Sequence, residues 1–338
     1  MALEVGGSSP LGHPKSRGEG RDRNPPEREP AADTVIPMSR PRLLTTAEGT
    51  NTGAFAPLDW GLLCTAGGIW GASFLFIAIG LDAFDPSLIT TLRITFGFAL
   101  LAFLPATRRS IARADWPRLV LVGITWVAIP LSMFPLAERH VSSAVTGMLN
   151  GATPLFAAAV ATLMLHRLPP RQQLVGLGVG FVGVLLIGLA SVDEASSSLG
   201  GIILILIALC SYGVAYNVQV PLQQRYGSLP VIWRALAVGW VLTLPLGLAG
   251  LDDSSFAWRP LLACMALGAL GTGVAYVAMG TLVGRVGSTR ASITTYVIPV
   301  VAIILGAVFR NDHIAPLAIA GTAVVLSGAW ITGRSRAS

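Results

Sequence analysis

From residue 60 to its end the chain alternates long apolar blocks with short polar links. Ten apolar runs lie at 60–81, 86–106, 117–137, 142–165, 172–190, 199–221, 229–250, 260–282, 288–309 and 314–333. A helix of about 20 residues crosses a hydrocarbon core of ~30 Å, and each run comes close to that length. A transmembrane barrel would need strands of about ten residues with alternating polarity, and no such series is visible. The pattern predicts an all-α membrane protein of ten transmembrane helices. Because the links are short, sequential helices are expected to be mostly antiparallel neighbours.

The blocks are written twice. Sliding the sequence by 145 puts Gly123 on Gly268, Pro154 on Pro299, Gly176 on Gly321 and Gly183 on Gly328. The same shift puts His140-Val141 on Arg285-Val286, and a shift of 142 puts Trp70-Gly71 on Tyr212-Gly213 and Phe74 on Tyr216. One offset holding over three consecutive blocks marks an internal duplication. Five spans per copy is an odd number, so the second copy enters the membrane upside down. Inverted repeats of this kind build carriers with a site near the midplane.

The segment before residue 58 is different material, with seven basic and seven acidic residues, many Pro and Gly, and no apolar run. It reads as a disordered tail over 1–57. The first repeat follows at 58–190, a linker at 191–198, the second repeat at 199–333 and a short C-terminus at 334–338. No apolar region precedes the first span as a signal peptide would require. Met38 is a candidate start, a reading that N-terminal sequencing would end by finding residues 1–37 on the native protein.

Composition sharpens this picture. Only 12% of residues are charged and 53% are hydrophobic, against about 25% charged in soluble domains. The net charge of +6 belongs to link arginines rather than to a nucleic-acid surface. Arg108, Arg109, Arg113, Arg118, Arg167, Arg171, Arg225, Arg285, Arg290, Arg334 and Arg336 fall on one side, while the other side carries more acids, among them Asp82, Asp85, Glu138, Asp252 and Asp312. The basic side faces the cytoplasm, which puts both termini there in a bacterial inner membrane. Cys64, Cys210 and Cys264 are far apart with no metal spacing, and read as free packing residues.

Trp70-Gly71, Arg93 in the second span, the Pro154 helix and the glycine-rich fifth span from Gly176 through Gly180 to Gly183, with counterparts at Gly321 and Gly328, together resemble the EamA-type proteins of the drug/metabolite transporter superfamily. The likeness covers about 60–333. It implies export, or sometimes uptake, of amino acids, other metabolites or drugs. Where that family often has a Gly-Glu pair after its fourth and ninth spans, this chain has Leu165-His166 and Arg310-Asn311, with Asp312 one place later.

Candidate site residues follow from faces. Gly147, Asn150, Gly151, Pro154 and Ala158 share one face of the fourth span. The glycines suit helix packing, whereas Asn150 carries an amide that needs a partner in hydrocarbon. Pro154 and Pro299 each remove a backbone hydrogen bond, and Pro299 stands beside Thr295 and Tyr296. Gly176, Gly180 and Gly321 are hinge or packing positions. Tyr212, Tyr216 and Gln219 form one stripe in the sixth span, matched by Trp70 and Phe74 in the first. Such rings can line a cavity, stacking on flat ligands and attracting cations, or form an interfacial belt. Trp126 and Tyr276 lie inside the third and eighth spans. Arg93 sits ~10 Å along the second span, able either to bind a carboxylate or to snorkel outward.

No acid falls in the middle of a span, Glu138 standing at an edge, so coupling through an intramembrane carboxylate is not expected unless Glu138 supplies it. There is no HExxH, GxSxG or GxxxxGK motif, and Lys15 is the only lysine, so enzyme and ATPase readings fail. No metal or cofactor is implied. The expected function is secondary transport by alternating access, exporting small metabolites such as amino acids or amphipathic compounds. An organic-anion or sugar-phosphate exchanger using Arg93 is one alternative, and a non-transporting membrane receptor or assembly factor is another. The expected partners are a small-molecule substrate and the lipid bilayer, with the chain acting as a monomer or homodimer. The site is expected between spans 1, 3, 4, 6, 8 and 9.

Overall fold

Residues 47, 49–51, 54–165, 171–192 and 198–334 are described by the computed structural model. Most of the predicted tail, the link at 166–170 with His166, the linker residues 193–197 and the last residues 335–338 lie outside them. Ten helices follow in the predicted order: α1 (Pro57–Gly80), α2 (Pro86–Ala102), α3 (Arg113–Glu138), α4 (Ser143–Met164), α5 (Arg171–Val192), α6 (Leu199–Tyr226), α7 (Ser228–Ala249), α8 (Trp258–Val286), α9 (Ser292–Arg310) and α10 (Pro316–Arg334). Seven are long and apolar enough to cross a membrane, and α2, α5 and α10 carry shorter apolar stretches at Pro86–Ala102, Leu174–Ile187 and Pro316–Gly328. Large apolar side chains such as Phe181, Leu185, Val241, Leu246 and Val308 point outward, as lipid contact requires. α2 stops at Ala102, short of the expected 106, because Pro105 disfavours helix in the residue before it, and a tight turn over Pro105–Arg108 follows.

Helices of one repeat pack mainly on the other. α1 lies along α9 and α6 along α4; α2 packs on α8 and α7 on α3; α2 meets α7, and α5 meets α10. Replacing each helix by its counterpart five places away turns this set of pairs into itself, as a pseudo-two-fold relation between the repeats demands. The start of α1 meets the end of α8, where Asp59 pairs with Arg285. The start of α6 meets the end of α3, where the Ser198 amide donates to the His140 carbonyl at 2.9 Å. We call the end holding the start of α1 the near end and the opposite one the far end.

Two irregularities occur in both repeats. α3 passes through a π-helical turn at Gly123–Ala128 and α8 through one at Leu267–Val274. Each contains one of the glycines paired by the 145 offset. α4 is α-helical over Ser143–Asn150, breaks, and resumes at Thr153 just before Pro154. α9 begins as a tight 3₁₀ turn over Ser292–Tyr296 and becomes α-helical at Val297, just before Pro299. A proline has no N–H to continue the ladder, and in α4 a hydroxyl takes up the carbonyl that Pro154 frees: Thr153 Oγ1 donates to Asn150 O at 2.7 Å. In α9 the Thr295 hydroxyl instead caps the 3₁₀ turn, Oγ1 donating to Ser292 O at 2.7 Å.

The glycines of α5 and α10 serve close packing. Gly183 lies against the Gly321 backbone and Val325, and Gly328 against the backbone of Gly176 and Gly180. A Cβ at Gly183, Gly321 or Gly328 would meet main chain, so this pair of helices is zipped backbone to backbone. The three cysteines are free, Cys64 and Cys210 exposed and Cys264 buried.

Candidate functional site

Successive turns of α1 place Trp70, Ser73, Phe74 and Ile77 on one face, spaced i, i+3, i+4, i+7. That face closes a pocket with Arg93 of α2, Phe134 of α3, Asn150 of α4, Tyr212 and Tyr216 of α6, and Thr295 of α9. Asn150 and Thr295 are related by the 145 offset, and Trp70 with Tyr212 and Phe74 with Tyr216 by 142. The pocket therefore sits on the seam between the repeats. It is not symmetric: Phe134 and Ile77 have Met279 and Gln219 at the equivalent positions. The space open to water centres is only ≈ 20 Å³, about enough for a single water. A larger solute does not fit this space as it stands.

Rings form most of the wall. Tyr212 and Tyr216 stack with centroids 5.9 Å apart and planes 5° apart. Phe134 lies 5.5 Å from Phe74, edge to face, and 5.9 Å from Tyr212. The π-helical turns are tied to this wall from both sides. Trp70 Nε1 donates to Gly271 O at 2.9 Å, within the α8 turn, and Ser211 Oγ donates to Thr125 O at 2.9 Å, within the α3 turn.

Arg93 is 3% exposed, so it does not snorkel to the surface. Its Nε donates to Thr272 Oγ1 at 3.2 Å. Among the described residues no carboxylate forms an ion pair with it, and neither of its terminal nitrogens has a protein hydrogen-bond partner. A buried cation with uncommitted donors at a pocket wall has the chemistry to accept an anionic partner. The guanidinium replaces α8 in the expected set of lining helices with α2.

Other predicted residues stand behind the wall. Trp126 and Tyr276 stack on each other at 4.6 Å, and Tyr276 Oη donates to Trp126 O at 2.8 Å. Tyr276 supports Trp70 at 5.7 Å and Trp126 supports Tyr216 at 6.1 Å, and neither lines the pocket. Gln219 is buried one turn nearer the near end, accepting from Gln223 Nε2 at 3.1 Å, and does not line the pocket either. Tyr296 is partly buried against the core and also stands outside the lining. Pro154 and Pro299 act on the backbone beside Asn150 and Thr295 rather than on the cavity. Gly176, Gly180 and Gly321 belong to the α5–α10 contact.

Sequence reasoning missed Ser73 and Ile77, although both share the Trp70–Phe74 face, and Phe134, for which no signal in the pattern existed. It set Glu138 at the edge of the third span, where the structure also ends α3, but gave no sign that its carboxylate is enclosed. Both carboxylate oxygens of Glu138 are buried without a hydrogen-bond partner. The side chain turns inward from the last turn of α3, one turn beyond Phe134.

The two ends close the pocket differently. At the near end Arg285 reaches the buried carboxylate of Asp59, which also accepts from Asn51 Nδ2 and the Ala56 amide, both at 2.9 Å. Asp115, at the start of α3, accepts from Arg225 Nη1 at 2.9 Å and Tyr226 Oη at 2.6 Å at the end of α6. At the far end the cross-repeat pair is Arg310 with Asp82 at 3.1 Å, both partly exposed.

Comparison with known proteins agrees with this architecture. The model of the EamA-like transporter family matches residues 60–189 and again 199–334. A probable terminal-alkyne amino-acid exporter of Streptantibioticus cattleyicolor is 27% identical, over 81% of this chain and 93% of its own. A probable amino-acid metabolite efflux pump of Salmonella typhimurium is 25% identical, over 78% and 90%. The inner membrane transporter YedA of Escherichia coli K12 is 29% identical, over 70% and 78%. A solved crystal structure with 18% sequence identity shares the fold at a TM-score of 0.59, covering 82% of this chain and 96% of that one.

Proposed function

The chain belongs to the EamA-like transporter family, and from that premise we propose that it exports small carboxylate-bearing metabolites, amino acids first among them, by alternating access. The observation that carries the reading is Arg93: a buried guanidinium with free donors in a ring-walled pocket on the seam between inverted repeats. The carboxylate of the solute takes the terminal nitrogens of Arg93. Trp70, Phe74, Phe134, Tyr212 and Tyr216 replace water around its apolar part, and Asn150 and Thr295 offer polar contacts. Rocking of one repeat against the other opens the near and far ends in turn. The names of the relatives, an amino-acid exporter and an amino-acid metabolite efflux pump, support the same substrate class.

The test is solute flux into proteoliposomes, screened over amino acids, organic anions and cationic dyes. Arg93→Gln is expected to cut carboxylate flux about 100-fold, as losing a charge-assisted contact of ~3 kcal/mol implies. If flux is equal in the two proteins, Arg93 is not the recognition group. The anion-exchanger reading shares Arg93 and differs in preferring solutes without an amine. Absence of flux for every solute would favour a receptor or assembly factor. The near end is assigned to the cytoplasm of an inner-membrane protein by the arginine distribution. Impermeant labels at the links near Pro169 and Asp312 reacting from one side would end that assignment and the inverted arrangement together.

A further inference from the structure

Among the described residues the interior holds one acid with nothing to bind. Glu138 ends α3 with both oxygens buried and unpartnered. Phe134, one turn earlier on the same face, lines the pocket, so Glu138 stands over the pocket on its far side. The groups that reach it electrostatically are Arg93 from α2 and Arg310 and Asp312 from the end of α9. Tyr212 of α6 touches Phe134 below it. Asp312 is already engaged, accepting from Ser143 Oγ at 2.9 Å and the Ala144 amide at 3.2 Å. Arg310 is held by Asp82 and Arg139 by Asp85. None of these groups forms an ion pair or hydrogen bond with Glu138. The residue at the equivalent place in the second repeat is Val283, so the pseudo-symmetry of the fold does not demand an acid here.

A carboxylate withdrawn from water without donors is either protonated or waiting for a cation. Arg93 offers free donors at the wall of that pocket, near enough for its charge to act on Glu138. The pocket wall thus holds a cation and the helix end beside it an acid, a pair of opposite charges that suits a zwitterion. We infer that Glu138 holds a proton when the pocket is empty and exchanges it for the ammonium group of the substrate, making transport a proton-for-amino-acid exchange. The balance is simple: the Glu138 carboxylic acid plus a substrate with its ammonium gives the ion pair and one proton released to water. The inference rests on the transport reading above, and adds to it the coupling ion and the amine requirement.

Proton release on binding tests it without a mutant. Purified protein in weakly buffered detergent is mixed with L-phenylalanine, and with 3-phenylpropionate, which has the carboxylate and lacks the amine. The expected result is about one proton released per L-phenylalanine bound in part of the range from about pH 5 to 9, and none for 3-phenylpropionate. Glu138→Gln should bind L-phenylalanine at least about tenfold more weakly and release nothing, while Glu138→Asp should restore release. Failure of the wild type to bind L-phenylalanine, absence of release in the wild type, or equal release from Glu138→Gln overturns the proposal. Proteoliposome flux separates the two readings. Downhill flux of L-phenylalanine without proton movement leaves transport standing and removes the coupling. Absence of flux with proton release intact removes transport and leaves the binding site.

Discussion

The near and far ends of the bundle are built from equivalent helix termini, yet they are closed by different physics. At the near end Asp59 and Arg285 join α1 to α8 through a fully buried carboxylate. Their counterparts at the far end are Gly201 and His140, which join α6 to α3 by close backbone packing. Likewise Asp115 and Arg225 at the near end correspond to Pro260 and Ala83. Helix starts differ in the opposite sense. At the far end α2 and α4 are capped by side chains, Asp85 accepting from the Ser87 amide at 2.9 Å and Ser142 from the Val145 amide at 3.4 Å. Their near-end equivalents are Gly227 and Gly287, with φ of +78° and +82°. A duplicated fold has thus been given unequal doors: one latched by buried charge between repeats, the other by small surfaces and exposed ions. Separating the near-end pair would strand a buried carboxylate, and separating the far-end pair would not.

The largest test of that contrast is Arg285→Ala. It leaves Asp59 buried without its cation, at an expected cost of about 2–3 kcal/mol, at or below the lower limit for a buried pair because the guanidinium is partly exposed. The apparent melting temperature in detergent should fall, and an introduced near-end cysteine should label faster. Pairing the change with Asp59→Asn should recover part of the loss; no recovery would mean that the ion pair is not the latch.

Gly287→Ala comes next. With ψ near 168° the residue occupies a region that is almost exclusively glycine's, and about 2 kcal/mol is expected. The far-end counterpart Ser142→Ala removes a cap and should cost about 1 kcal/mol. A reversed order of the two melting shifts would show that the near-end turn is not constrained as its dihedrals imply.

Asp82→Asn at the far end should change stability by under about 1 kcal/mol, and less in high salt, because that pair faces water. The smallest expected effect concerns pH. Burial pushes the Asp85 carboxyl up, but the Ser87 hydroxyl and amide and the Arg139 guanidinium outweigh it and hold it below the usual carboxylate range. A lowered acid stabilises the fold above its unfolded value of about 3.9 and loses that contribution as pH falls through its folded value. Acidifying from about pH 7 to 5 should therefore leave this cap intact, and melting curves of the wild type and Asp85→Asn should stay parallel over that interval. A transition there belongs to another group.

How far the site was legible depended on whether its residues share a helix face. Trp70 with Phe74, and Tyr212 with Tyr216, converge as their spacing implied, because residues a turn apart must point together. Trp126 and Tyr276 had the right chemistry and the right depth, but they face each other behind the wall. Arg93 left two outcomes open, and only the Thr272 hydroxyl across the repeat interface and the depth of burial chose between them. Gln219 follows the tyrosine stripe into a part of the bundle where the seam is already closed.

Taken alone, the sequence determined the ten spans, their duplication and the odd count that inverts the second copy. These rest on run length and exact offsets, which survive without any knowledge of neighbours. Tertiary structure alone decided which way each helix is turned, that both π-helical turns fall at the paired glycines, that the Glu138 carboxylate is buried, and that one end carries ion pairs with buried carboxylates. In water a helix shows its inward face by contrast with a polar outer one. In lipid both faces are apolar, so the chain carries little record of rotation until its helices pack against one another.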